Sequence, residues 1–144
     1  THDARQCRRY CADPGVAMFL ASGSAYLLTP LLSASVKVAL LSDAWFGNPA
    51  DNWSDVSAYA ASDSILLTGK AIVDGALDAD DVTFTGVSTG DTVSTIMFYV
   101  DTGTPSTSTI LGPFYNVGGF PFTTAGANIT IAWDSGTFRI TRIA

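Results

Sequence analysis

The side chains with the most concentrated chemistry are carboxylates. Asp74, Asp78, Asp80 and Asp81 share one short stretch, VDGALDADDVTF. Such oxygens could hold a divalent ion, but an EF-hand loop spaces its ligands at alternate positions and closes on a Glu. There is no Glu anywhere in the chain. A paired-carboxylate glycosidase site is the catalytic alternative. The plainer reading is a solvated turn, whose Asp side chains cap local backbone groups ahead of a strand at Val82–Thr85.

Other chemistry is sparse. His2 is the only histidine, so neither Ser-His nor Cys-His catalysis has an imidazole placed within the body of the chain. Cys7 and Cys11 are the only cysteines. They read as reduced thiols or as a short local disulfide. With His2 they supply three metal ligands, where structural zinc takes four. Gly118-Gly119 is followed by Phe120-Pro121, with no Lys and no helix start, so it is not a phosphate loop. Asn52-Trp53-Ser54 and Asn128-Ile129-Thr130 match the glycosylation sequon by spacing alone. The expectation is a protein without catalytic residues, metal or cofactor.

The elements that must position these residues are strands and turns. All thirteen acidic residues are Asp, which favours turns and caps over helix interiors, and there are thirteen Gly. At 144 residues the chain is long enough for one domain that buries about 70% of its unfolded surface. Charged residues make up only 14%, against about 25% in an ordinary soluble domain. A surface so poor in charge suits contact with other subunits. The net charge is −6, and Arg5, Arg8 and Arg9 gather at the start of the chain. The acidic remainder lacks the clustered Lys and Arg that nucleic acid requires, so no nucleic-acid partner is expected. The basic start could instead meet an acidic neighbour.

Residues 1–33 read as an N-terminal arm with a short apolar helix or loop, and residues 34–144 as a single β domain. The apolar stretch Val16–Leu28 follows Arg8 and Arg9 in the order of a signal peptide, but Gly23, Pro30 and Lys37 break the wider run. It is read as a short buried helix or an ordered arm, with no membrane function. Ala34–Leu41 begins with alternation and forms the first firm strand. Ser64–Val73 is a strand bent at Gly69, Val82–Thr85 a short one and Val93–Val100 a central one. Ile110–Tyr115, broken by Gly112-Pro113, suits a sheet edge. Asn128–Trp133 and Thr137–Thr141 alternate about Asp134-Ser135-Gly136 and read as a hairpin. The fold expected is mainly β, an antiparallel sandwich or barrel with at most one short helix. Val36, Val38, Ile96, Phe98, Ile129, Ile131, Trp133, Phe138 and Ile140 are its predicted core.

Between the first two strands, Asp43 to Asp63 forms a long connection carrying Trp45, Phe46, Trp53 and Tyr59. Connections of this length are ordered by contacts or serve function. The aromatics either pack on their own core or face a neighbouring chain.

With the strands placed, the sequence resembles a family of small virion structural proteins of tailed bacteriophages. The resemblance rests on VKVALL (Val36–Leu41), GALDADDVTFTGV (Gly75–Val87), Val93–Gly103, and the ending ANITIAWDSGTFRITRI (Ala127–Ile143). It covers about residues 34–143, and the Cys-containing start departs from it. It implies a scaffold without a reaction, located in the virion and assembled in the bacterial cytoplasm. A capsid decoration or cement protein is the first expectation, and a tail or head-to-tail connector component the second. The expected partners are phage capsid or other virion subunits, with homo-oligomerisation. Arg5, Arg8, Arg9, Trp45, Phe46, Trp53 and Tyr59 are the candidate interface residues. A different class of function, carbohydrate binding by a β-sandwich, would use Trp45, Trp53 and Tyr59 as stacking platforms.

Overall fold

The structure is a computed structural model and describes residues 28–45, 50–114, 119–133 and 141–142. In chain order its elements are helix α1 (Pro30–Ser33), strand β1 (Val36–Ser42), helix α2 (Trp53–Val56), and strands β2 (Ile65–Leu66), β3 (Ala71–Val73), β4 (Ala76–Asp78), β5 (Val82–Phe84), β6 (Thr89–Val100), β7 (Ile110–Phe114), β8 (Phe122–Ala125), β9 (Ile129–Ile131) and β10 (Thr141–Arg142). Among the described residues every strand pairing is antiparallel, so the mainly β, antiparallel architecture expected from the sequence is present. No closed barrel forms among the described residues.

The chain divides into two compact units. The larger comprises Ala34–Thr68 and Asp80–Ala132. The other includes Gly69–Ala79 and, among the described residues of the two ends, Leu28–Ser33, Trp133 and Thr141–Arg142.

In the larger unit, β1 and β6 form the middle of a sheet ordered β2-β1-β6-β7. Their register runs from Val36 opposite Val100 to Ser42 opposite Val93. β8 also pairs with β6; because Val93 faces both Ser42 and Phe122, β8 lies on the side away from β1, beyond the end of β7. β7 occupies an edge, as Gly112-Pro113 predicts, since proline has no N–H to offer a further strand. β5 and β9 form a separate two-stranded sheet, with Thr83 and Thr130 joined by their hydroxyls across the ladder at 2.9 Å.

Alternation on β1 and β6 puts Val36, Val38 and Leu40 on one face with their cross-strand partners Ile96 and Phe98, all buried. Leu41 and Met97 belong to the opposite face and are fully buried too. This sheet is therefore covered on both faces, which explains why ALL and TIMFY read as continuous apolar runs. Of the predicted core, Val36, Val38, Ile96 and Phe98 are buried, Ile129, Ile131 and Trp133 are half-buried, and Phe138 and Ile140 lie outside the described residues.

The other unit carries β3, β4 and β10 in the order β10-β4-β3. The turn between β3 and β4 is Asp74-Gly75, with φ of 51° and 79°, and Val73 pairs with Ala76 across it. Positive φ at both central residues is the signature of a type I′ hairpin, for which Asp-Gly is a preferred pair. Reading Asp74–Asp81 as one solvated turn overlooked β4, whose Ala76 and Leu77 are buried. Of the hairpin expected from Asn128–Trp133 and Thr137–Thr141, the turn and the second arm up to Ile140 lie outside the described residues; among the described residues β9 pairs with β5, and Thr141–Arg142 pairs with β4.

Candidate functional site: the aromatic connection and its partner loop

The connection after β1 is ordered by its own contacts. A 3-10 turn over Asp43–Trp45 ends β1 and drives Trp45 inward, where it is 5% exposed and clusters with Leu41, Val56 and Met97. Ala50, Trp53, Tyr59, Ala60 and Ile110 pack against that cluster and are partly buried. Of the two alternatives for these aromatics, the chain's own core accounts for Trp45. Its indole is therefore unavailable as a surface anchor or as a sugar-stacking platform. Trp53 and Tyr59 keep part of their surface at the solvent. Phe46, Arg5, Arg8 and Arg9 lie outside the described residues, as do His2, Cys7, Cys11 and the arm to Gly15.

α2 starts at Trp53 because Asn52 is extended (φ −125°, ψ 161°) and Asp55 reaches back from three residues on. The Asp55 carboxylate accepts the backbone N–H of both Asp51 and Asn52 at 3.0 Å. This is the returning half of a capping box, with one side chain satisfying two donors at the helix start. Those two bonds hold the Asp55 carboxyl below the usual carboxylate range.

The same residues are tied to the loop after β6. The Trp53 N–H donates to the Ser108 carbonyl at 2.8 Å, the Ile110 N–H donates to the Asp51 carbonyl at 3.1 Å, and Asn52 bridges to Thr109. The loop has its own internal frame. The buried Ser108 hydroxyl donates to the Thr104 carbonyl at 2.9 Å and accepts the Thr102 N–H at 3.1 Å. At its root the Asp101 N–H donates to the Ser35 carbonyl at 2.8 Å, and the Asp101 carboxylate accepts the Gly103 N–H at 3.0 Å. Lys37 meets the same carboxylate at 2.7 Å. The hydrogen bond with Asp101 raises the Lys37 ammonium, and its mirror lowers the Asp101 carboxyl.

Beneath the two segments lies Tyr99, the cross-strand neighbour of Lys37. Its ring is 3% exposed and stacks on Trp53 with centroids 4.3 Å apart and planes 9° from parallel. Burial raises the Tyr99 phenol above its ordinary value. Trp53 thus covers Tyr99 with one face of its indole while remaining half-exposed itself.

The chemistry open to this arrangement is set by how its carboxylates are engaged. Asp55 and Asp101, its two best-positioned carboxylates, are engaged by backbone N–H groups and by Lys37, and both are shifted away from the range in which a general acid or base works near neutrality. In the acidic stretch, Asp78 accepts the Ala79 N–H at 3.0 Å, and Asp80 exchanges two bonds of 2.9 Å with Thr68. These are the turn-capping roles its composition suggests. Among the described residues, no group of three or more His, Cys, Asp or Glu is placed to hold a metal ion, and no helix is long and apolar enough to cross a membrane.

Three exposed leucines were not among the candidates. Leu66 is 47% exposed, Leu111 43% and Leu32 39%. Leu66 and Leu111 sit on β2 and β7, the outer strands of the β2-β1-β6-β7 order. The signal available was the demotion of β7 to an edge by Pro113; in Ile65-Leu66-Leu67 an unbroken apolar run hides which side chain points out. No protein-family model matches the chain, and no curated protein is significantly similar to it in sequence.

Proposed function

We propose that this chain is a non-catalytic structural component of a multi-subunit assembly, a tailed-bacteriophage virion, in which it serves as a capsid decoration or cement protein binding folded capsid subunits. The observation that carries the assembly reading is the pair of exposed leucines on the two outer strands of the main sheet, Leu66 and Leu111, on a chain with little surface charge. Open strand edges with apolar side chains are sites of pairing with other chains. The virion reading is supported by the sequence resemblance. Its VKVALL segment lies in β1, its Val-Thr-Phe in β5, and its Val93–Val100 stretch in β6, so the quoted segments coincide with framework strands. The partners are capsid or other virion subunits, including copies of this chain, and the location is the virion.

A tail or head-to-tail connector role is the second reading. Carbohydrate binding is a third, favoured by the half-exposed Trp53 indole, since one aromatic face at the surface can stack on a sugar ring. The test is reconstitution. Particles lacking the protein are expected to assemble but to break at lower temperature or weaker osmotic shock, and added wild-type protein is expected to restore them. Loss of tails or infectivity with heads unweakened would move the protein to the connector. Hydrolysis of a polysaccharide by the purified chain would overturn the non-catalytic reading.

A further inference from the structure

We propose that Ala50–Trp53 and the Asp101–Thr109 loop form an acid-released strap across the β1–β6 sheet, fastened by the carboxylates of Asp55 and Asp101. This inference rests on the geometry of the larger unit and is independent of what the protein assembles with.

The two segments hold one another and are held from below at few points. Trp53 N–H to the Ser108 carbonyl, Ile110 N–H to the Asp51 carbonyl and the Asn52–Thr109 bridge join them edge to edge. The permanent anchors lie to either side: Trp45 and Val56 are buried in the apolar cluster, and neither depends on a charged group for its burial. Between them Asp51 is exposed, while Asn52 and Trp53 are half-buried. The backbone of this middle portion is fastened by the Asp55 carboxylate, which takes two consecutive N–H groups, while Ala50 and Trp53 pack on the cluster and Trp53 stacks on Tyr99. At the loop root the Asp101 carboxylate takes the Gly103 N–H and the Lys37 ammonium together, beside the neutral backbone bonds from Asp101 N–H to Ser35 and from Val100 N–H to Thr109. Each carboxylate is a single point of failure for two bonds, and bonds to an ionised acceptor are about twice as strong as neutral ones.

The groups around each fastener leave protonation of the carboxylates as the event that matters. The turn Pro105–Thr107 packs against α2 and carries no titratable side chain. Tyr59 follows α2, and Asp51 contributes its backbone to the fastening. Lys37 and Tyr99 face Asp101, and Asp43 lies on the turn packed against β6. Lys37, raised by its partner, stays charged throughout the acid range, and Tyr99, raised by burial, stays neutral. Asp55 and Asp101 are both lowered from 3.8 in the folded chain. A carboxyl lowered on folding contributes stability that is complete above its unfolded value and is lost as the pH falls through its folded value. The strap therefore holds at neutral pH and opens in acid below that unfolded value, while β1 and β6, whose buried pairs from Val38–Phe98 to Leu41–Thr95 carry no charged side chain, stay paired.

The experiment is residue-resolved amide exchange on the whole chain from pH 7 to pH 2.5, with rates divided by intrinsic rates to give protection factors. The expected result is a tenfold or greater loss of protection in acid at Asp51, Asn52, Trp53, Gly103 and Ile110, with Leu40 and Met97 keeping theirs. Asp55→Asn, which keeps an uncharged acceptor, is expected to make protection at Asp51 and Asn52 independent of pH. Asp55→Ala is expected to lose that protection already at pH 7. Retained protection at pH 2.5 would overturn the proposal. So would loss of β1 and β6 protection in the same step, or an acid transition at Asp51 and Asn52 that survives in Asp55→Asn.

Discussion

β1 and β6 face each other along a continuous register from Val36–Val100 to Ser42–Val93, and their inward side chains are buried on both faces. The strap that crosses their Leu41–Met97 face is built differently. It is fastened by backbone bonds into Asp55 and Asp101, one stacked indole, and the frame around Ser108. The first region draws on area removed from water, which is additive and tolerant of small shifts. The second draws on a few directional bonds, each of which fails when one group is removed or neutralised. A chain built this way can vary its cover without disturbing its sheet.

The largest effect belongs to the sheet. Phe98→Ala removes a ring 3% exposed between β1 and β7, and is expected to cost about 3–5 kcal/mol, read as a fall in the urea midpoint at unchanged m-value. Trp53→Ala on the strap should cost less, about 2 kcal/mol, because the ring is half-exposed and its distinctive contact is one aromatic pair. Equal costs at the two positions would mean that the strap is as much a part of the core as the sheet is. Trp45 sharpens the point: although it lies in the same connection, it is buried to the same degree as the sheet residues, and Trp45→Ala should behave like Phe98→Ala.

A smaller effect is expected at Gly103, where the strap loop turns with φ of +87°. A Cβ there meets nothing within 4 Å, so the cost of Gly103→Ala is the backbone conformation alone, about 1–2 kcal/mol. If thermal unfolding instead shows no change, the loop relaxes to accommodate the side chain, and its attachment through Asp101 is weaker than its geometry implies.

How much of this was legible in the sequence follows the same division. Alternation found β1, a dense apolar stretch marked β6 as a central strand, and Gly112-Pro113 gave the edge character of β7, because hydrophobic pattern and a misplaced proline are local signals. β4 escaped because it has only three residues, Ala76–Asp78, and sits among aspartates that read as turn. β8, Phe122–Ala125, escaped because Phe122-Thr123-Thr124-Ala125 is brief and its partner Thr89–Val93 lies far back in the chain. The β5 partner of β9 was not foreseen, because alternation specifies a strand and its faces while leaving open which strands it pairs with. At the candidate site, the aromatics of the connection were visible as residues, but their fates were not. Trp45 is buried in the cluster with Met97, while Trp53 packs at the margin of that cluster, stacks on Tyr99 and stays half-exposed.

The smallest effect on stability should accompany the largest effect on association. Leu66 and Leu111 lie on opposite outer strands of the main sheet and are 47% and 43% exposed, so replacing them removes little buried area. Leu66→Lys and Leu111→Lys are each expected to change unfolding free energy by no more than about 0.5 kcal/mol, as surface substitutions generally do. A lysine at an outer strand position adds a charge that a pairing chain would have to desolvate, which is how natural sheet edges resist pairing. If these strands carry the contacts of the assembled state, both variants should fold normally and bind particles poorly, measured by co-sedimentation with particles lacking the protein. Normal binding by both would move the contact surface elsewhere on the chain, with the Trp53 face next in line. Loss of folding in either variant would contradict the exposure of these side chains, and with it the distinction between a closed sheet interior and an open rim.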